Sequence, residues 1–216
     1  MTKKDIAVIG LGTFGYELAV QLARLGHQVM AVDVDMKKVN EIKEHVEVAI
    51  QADITDPDVL RKLKIEDFDE VILAMSSAME SIILAIVHMK KQGVKHIIGK
   101  ANTYIQREIL LKIGADEVIM PEVESAIRLA EKLTYPGIKE KLVMDDHLVL
   151  MEMEIPPALV GKSLREIDLR NKYGINVIMY TRDGKVKPIT DPSLVFRPGD
   201  ILLVAGDEQA IKKHLA

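Results

Sequence analysis

The stretch from Ile6 to Asp35, "IAVIGLGTFGYELAVQLARLGHQVMAVDVD", sets the tightest limit on what this chain can fold into. An apolar run leads into Gly10, Gly12 and Gly15, a helical pattern follows, and a second apolar run ends on Asp33. In a strand–loop–helix–strand unit each glycine has a task. Gly10 permits the tight turn, Gly12 lets backbone N–H groups approach a pyrophosphate, and Gly15 lets helix and strand pack closely. The helix N-terminus adds a partial positive charge that suits phosphate, which brings Thr13 and Phe14 into the candidate set. Asp33 stands 18 residues after Gly15, where a carboxylate accepts hydrogen bonds from ribose hydroxyls. The same charge repels a 2′-phosphate and disfavours NADP; Lys37 and Lys38 could soften that repulsion, but an exposed helix face is the expectation for both. The motif does not separate NAD(H), ATP and ADP, and a purely structural glycine turn is the alternative.

Further along, β-branched runs alternate with helical stretches. Strands are expected at 6–10, 28–33, 46–51, 70–75, 96–100 and 117–120, and helices at 15–25, 36–43, 57–63, 79–92 and 104–113. Pro57 fits a first-turn position behind an Asp56 cap. Six such units imply an α/β fold, a Rossmann-like doubly wound parallel sheet. Residues 122–133 read as an amphipathic helix with Val123, Ala126, Ile127, Ala130 and Leu133 on one face. Pro136-Gly137 then breaks the pattern. Beyond it lie an alternating strand "HLVLMEMEI", a short helix "SLREIDLRNKYG", a hairpin at Asp183-Gly184, a strand "ILLVAGD" and a closing helix. The expected domains are 1–135, the Rossmann-like unit, and 136–216, a small α+β unit.

A dehydrogenase needs a group that moves a proton while hydride moves. None of His27, His45, His88, His96, His147 and His214 falls where the crevice should be, and none pairs at metal-ligand spacing. Lys100 and Glu122 fall at or beyond C-terminal strand ends, where ligands sit in such sheets. Lys100 suits a phosphate or Glu122, and Glu122 suits a divalent cation, a neighbouring subunit or simply the helix dipole. Ala74, Met75 and Ser76 end the fourth strand at the same crevice. Asp53, with Ile54 beside it, ends the third strand near the adenine edge, or is an ordinary loop turn. With no nucleophile elbow or triad, the nucleotide reads as a regulator. The net charge, 29 − 33 = −4, offers no global basic field for nucleic acid. Cysteine is absent, which excludes disulfides and thiol chemistry and fits a reducing compartment. The N-terminus is read as a buried strand and not a signal peptide, and no apolar run approaches the roughly 20 residues of a membrane span. A soluble, cytoplasmic protein is expected.

The segments "IAVIGLGTFG", "VMAVDVD", "QADITDPDVL", "KIGADEVIMPE", "LRNKYGINVI" and "FRPGDILLVAGD" resemble, in this order, the RCK family of potassium-conductance regulators, nearest the Ktr/Trk type. The resemblance implies a cytosolic regulatory subunit whose dimers build an octameric ring under a membrane-embedded potassium channel subunit, to which it attaches peripherally at the inner membrane. It implies ADP/ATP or NAD(H) in the first lobe, with the glycine loop, Asp33 as the ribose acid and Asp53 near adenine. It also implies a divalent cation at Glu122. Many Ktr relatives carry arginine within the loop, as "GxGRFG", reaching a γ-phosphate across the dimer, and this chain has Thr13 there. Preference is expected to move toward NAD or ADP, unless another chain of a mixed ring supplies the arginine. In some relatives the second lobe binds cyclic di-AMP at its dimer interface, and the matching contacts would be Arg170, Ile175, Asn176 and Ile178. A plain hydrophobic dimer face is the alternative there. An NAD-dependent oxidoreductase and a nucleotide-sensing repressor remain as competing functions, the second lacking a basic recognition helix.

Overall fold

The computed structural model describes residues 2–75, 79–145 and 147–215. Packing divides the chain into two compact units, 1–125 and 126–216. In the first unit the chain runs β1 (Asp5–Ile9), α1 (Thr13–Arg24), β2 (Gln28–Asp33), α2 (Met36–Ile42), β3 (Val48–Gln51) and α3 (Pro57–Lys62). It continues through β4 (Glu70–Leu73), α4 (Met79–Gln92), β5 (Ile97–Lys100), α5 (Tyr104–Lys112) and β6 (Glu117–Ile119). The strands form one parallel sheet in the order β3-β2-β1-β4-β5-β6. This is the doubly wound arrangement, with its switch point between β1 and β4.

Both faces of the sheet are packed, so the inner strands are apolar throughout and not alternating. Ala7, Ile9, Val32, Val71 and Leu73 face a core with Ile82, Ile86 and Met89 of α4 and Leu110 of α5. Ile6, Val8, Val29 and Ala31 face the other way, against Ala19 and Val20 of α1 and Val39 and Ile42 of α2. Helix starts follow their capping signals. Asp56 accepts the Asp58 N–H, with Pro57 as the first helical residue, and Thr103 accepts the Gln106 N–H.

Helix α6 (Pro121–Thr134) runs across the division between the units and buries none of its residues. In the second unit follow β7 (Ile138–Val143), β8 (Val149–Glu154), α7 (Leu164–Ile167), α8 (Leu169–Tyr173), β9 (Asn176–Arg182), β10 (Lys185–Pro188), β11 (Ile201–Gly206) and α9 (Glu208–Leu215). The strands form an antiparallel sheet in the order β10-β9-β11-β8-β7. Its core gathers Met151, Met153, Tyr180, Phe196, Leu202, Val204 and Ile211. Four alternating charges join three of its elements. Lys141 lies 2.6 Å from Glu131 and 3.1 Å from Glu208, while Lys212 lies 3.1 Å and 2.5 Å from the same two carboxylates. This network, and not apolar burial, holds the C-terminal half of α6 to the second unit.

Three sequence expectations change. Strand β7 was not expected in "IKEKLV", because charged residues at successive positions hide the pattern of an edge strand. The single helix expected in 163–174 is two, since Asp168 adopts the left-handed conformation at φ 55° and turns the chain between α7 and α8. Helix α1 begins at Thr13 instead of Gly15, so the loop's last three residues are already its first turn. The hairpin at Asp183-Gly184 forms with φ of 54° and 72°, which suits a type I′ turn. Among the described residues no helix is long and apolar enough to cross a membrane.

Candidate functional site

The glycine loop closes over the C-terminal end of β1, beside the end of β4. Gly10 has φ 95° and its N–H donates to the Val32 carbonyl at 2.8 Å, which ties the turn to β2. A side chain here would meet the Met75 backbone nitrogen at 2.9 Å. Gly15 is more crowded. A Cβ on it would lie 1.9 Å from the Gly10 carbonyl oxygen and 2.9 Å from the Ala74 Cβ. Gly12, the residue capping α1, has nothing within 4 Å of such a position. Gly10 and Gly15 therefore serve the packing of strand, loop and helix, and Gly12 leaves open space in front of the helix N-terminus. The first N–H groups of any helix lack an intrahelical acceptor, and α1 has no acidic residue in its first turn to answer them. A phosphate in that space would meet backbone donors and the positive end of the dipole. Thr13 is exposed there and Phe14 half-buried.

Asp33 is 7% exposed and already engaged. Its Oδ2 accepts the Leu11 N–H at 2.6 Å, its Oδ1 accepts the Asp35 N–H at 2.9 Å, and the Lys38 Nζ stands 3.4 Å from Oδ2. Burial works to raise its pKa, but the two backbone N–H groups and the ammonium outweigh it and hold the carboxyl below its ordinary value. Lys38 remains partly exposed, as expected, but its side chain also reaches Asp33. Buried Val39 and Ile42 fix the rotation of α2, and that rotation turns Lys38 back onto Asp33.

The other expected site residues separate by reach. Asp53 is exposed, and its Oδ1 accepts the Thr55 N–H at 3.0 Å and hydroxyl at 2.8 Å, which lowers its pKa and sets a tight turn beyond β3. Ile54 packs its side chain into the core at 3% exposure, so only its backbone is left to face a ligand. Ala74 donates its N–H to Ile9 across the switch point at 2.8 Å, and Met75 is half-buried. Ser76 lies outside the described residues. Lys100 is 8% exposed at the end of β5, with its Nζ 2.5 Å from Glu122 and 5.7 Å from the centre of the Phe14 ring. Glu122, in the first turn of α6, is exposed, and its hydrogen bond from Lys100 keeps its pKa below the usual value. Among the described residues no three His, Asp or Glu cluster as metal ligands, at Glu122 or elsewhere. His96 contacts Glu70 at the opposite end of the sheet.

In the second unit a cleft of about 430 Å³ is lined by Leu164, Arg165, Arg170, Ile175 and Asn176, among others. Ile178 is not among its lining residues. Asp168, whose left-handed backbone splits the two short helices, also borders it.

A model of the TrkA-N domain matches residues 6–121, and one of the TrkA-C domain matches residues 131–215. The chain belongs to the TrkA/Ktr family. It is 34% identical over 212 residues to a Ktr system potassium uptake protein A of Vibrio alginolyticus, covering 98% of this chain and 96% of that protein. It is 35% identical over 211 residues to a Ktr system potassium uptake protein C of Bacillus subtilis (strain 168), with the same coverage of each. The GsuK channel bound to NAD superposes with a TM-score of 0.62 at 18% identity, over 97% of this chain and 38% of that one, which shows the shared fold.

Proposed function

We propose that this protein is the nucleotide-binding cytosolic regulatory subunit of a Ktr/Trk-type potassium uptake system and not an enzyme. The observation that carries the reading is similarity to Ktr uptake proteins along 98% of the chain. The ligand is ADP/ATP or NAD(H), seated at the switch point with its phosphates before α1 and its ribose at Asp33. NAD in the related GsuK channel supports a dinucleotide as one form of it. Thr13 removes the arginine that would favour a γ-phosphate, which tilts the choice toward ADP or NAD(H). Asp53, the backbone of Ile54, and the Ala74–Met75 strand end complete the adenine side. Lys100, the one proton carrier expected in the crevice for an oxidoreductase, is held by Glu122. The functional division is placed at 135/136, with α6 leading into the second lobe, ten residues beyond the packing division.

The partners are a membrane-embedded Ktr/Trk potassium channel subunit and further copies of the chain, as dimers in an octameric ring on the cytoplasmic side of the membrane. Two apolar surfaces support self-association. One is a groove of about 360 Å³ on the first unit, lined by Phe14, Leu18, Leu22, Ile72, Ile98 and Ile119. The other is the exposed face of α6 with Ala126, Ile127, Ala130 and Leu133. A divalent cation at Glu122 would take its remaining ligands from a second copy. Cyclic di-AMP would use the cleft at Arg170, Ile175 and Asn176, a site that a plain hydrophobic dimer face would also explain. A ligand shifts the ring only by its difference in affinity between two ring shapes.

Calorimetric titration of the purified protein with ADP, ATP, NAD and NADH, with and without magnesium, tests the ligand assignment. Binding is expected for ADP and NAD(H), weakened at least about tenfold in Asp33→Ala, which loses a charged hydrogen-bonding partner. No heat with any of the four, from protein that is folded by circular dichroism, would overturn it.

A further inference from the structure

The ribose corner holds a feature that the glycine motif does not explain. A carboxylate offers about four lone-pair sites. In Asp33, Oδ1 accepts one backbone N–H, while Oδ2 accepts another at 2.6 Å and faces the Lys38 ammonium at 3.4 Å. One free site remains, on Oδ1. Two ribose hydroxyls need two. The backbone donors are fixed, because Leu11 belongs to the loop and the β2–α2 turn is pinned on both sides. Ala52 donates to the Asp33 carbonyl at 3.1 Å, the Gln51 Nε2 to the Val34 carbonyl at 2.9 Å, and the Lys37 N–H to the Asp35 carboxylate at 2.9 Å. The movable partner is Lys38, whose side chain is 40% exposed.

We infer that Lys38 is the specificity-determining residue of the ribose subsite, yielding its place on Asp33 to a hydroxyl and then standing beside the ribose 2′ substituent. The inference rests on the nucleotide reading above. It deepens that reading by assigning the ligand class: adenine dinucleotides with either a 2′-hydroxyl or a 2′-phosphate. An unpaired aspartate would reject the phosphate by like-charge repulsion. Here the ammonium offsets that repulsion, because the opposite charge lies within one side-chain length of both groups. Rotation of α2 does not remove it, since Val39 and Ile42 are buried. Lys37, whose neighbour on the helix is solvent, has no such contact among the described residues.

The test is titration of wild-type protein, Lys38→Ala and Lys38→Arg with NADH and NADPH at low and high salt. The wild type is expected to bind NADPH within about tenfold of NADH, a gap that one compensating charge leaves. Lys38→Ala should lower NADPH affinity about tenfold and NADH affinity less than about threefold, as removal of one partly exposed charge predicts. Lys38→Arg should restore the ratio, and salt should widen it for the wild type and Lys38→Arg but not for Lys38→Ala. If NADH binds and NADPH does not, or if both affinities fall together in Lys38→Ala, the role of Lys38 is overturned while the nucleotide site stands. If neither dinucleotide nor ADP binds the wild type, the nucleotide reading itself fails.

Discussion

Asp200→Ala is expected to destabilise the second unit by about 3–5 kcal/mol, a large share of the stability of a small domain. Asp200 is 1% exposed and accepts three hydrogen bonds: from the Arg182 Nε at 2.8 Å, from the Arg182 Nη2 at 2.7 Å and from the Arg197 N–H at 2.8 Å. The two guanidinium bonds form a fork that fixes β9 to the turn before β11. Removing the carboxylate leaves a guanidinium without its counter-charge and a backbone donor without an acceptor. Urea unfolding followed through the second unit's tyrosines reads the loss. The same pair predicts acid sensitivity. Burial works to raise the Asp200 pKa, but Arg182 and the Arg197 N–H outweigh it and hold the carboxyl below its ordinary value of 3.8. A folded pKa that is depressed gives stability that is present above the unfolded value and lost as pH falls through the folded one. The wild type should therefore lose stability below about pH 4, and Asp200→Asn should flatten that slope. An unchanged slope in the variant would assign the acid transition elsewhere.

Gly15→Ala and Gly12→Ala are expected to fail in different ways. At Gly15 the added Cβ would stand 1.9 Å from the Gly10 carbonyl oxygen, so helix α1 must move away from the loop. The cost is that of overpacking, about 1–3 kcal/mol, and nucleotide affinity should fall by about two orders of magnitude or more as the donors leave their places. At Gly12 the added Cβ meets nothing within 4 Å. Stability should change by no more than about 1 kcal/mol, the scale of a helix cap. Affinity should still fall, because the methyl group occupies the space a phosphate would use. Thermal unfolding and titration of the two variants separate these effects. A Gly12→Ala protein that binds nucleotide like the wild type would place the phosphates elsewhere.

Much of the first unit was legible because its sheet is covered on both faces. The inner strands then read as apolar runs, and the turns between them carry glycine, proline or a capping aspartate. The second unit was harder. Strand β7 lies at a sheet edge, where Lys139, Glu140 and Lys141 succeed one another and no run or alternation stands out. The break at Asp168 rests on a backbone angle that nothing in "REIDLRNK" marks. The glycine loop and Asp33 were legible as a motif. Their occupancy was not. That Asp33 already holds Leu11, Asp35 and Lys38 depends on how far a side chain reaches after α2 has set its rotation. The charge network on α6 was hidden for the same reason, since Glu131, Lys141, Glu208 and Lys212 are spread over 82 positions and meet only in the fold.

The proposed role is regulation of potassium flux by a bound, unconsumed nucleotide. The most direct measurement is potassium flux into vesicles carrying a Ktr-type membrane subunit, with this protein added and ATP, ADP or NADH exchanged in turn. Expected are flux that depends on which nucleotide is present, loss of that dependence in Gly12→Ala, and nucleotide recovered chemically unchanged. Flux that is the same with every nucleotide and with none, or a nucleotide converted at a steady rate, would contradict it.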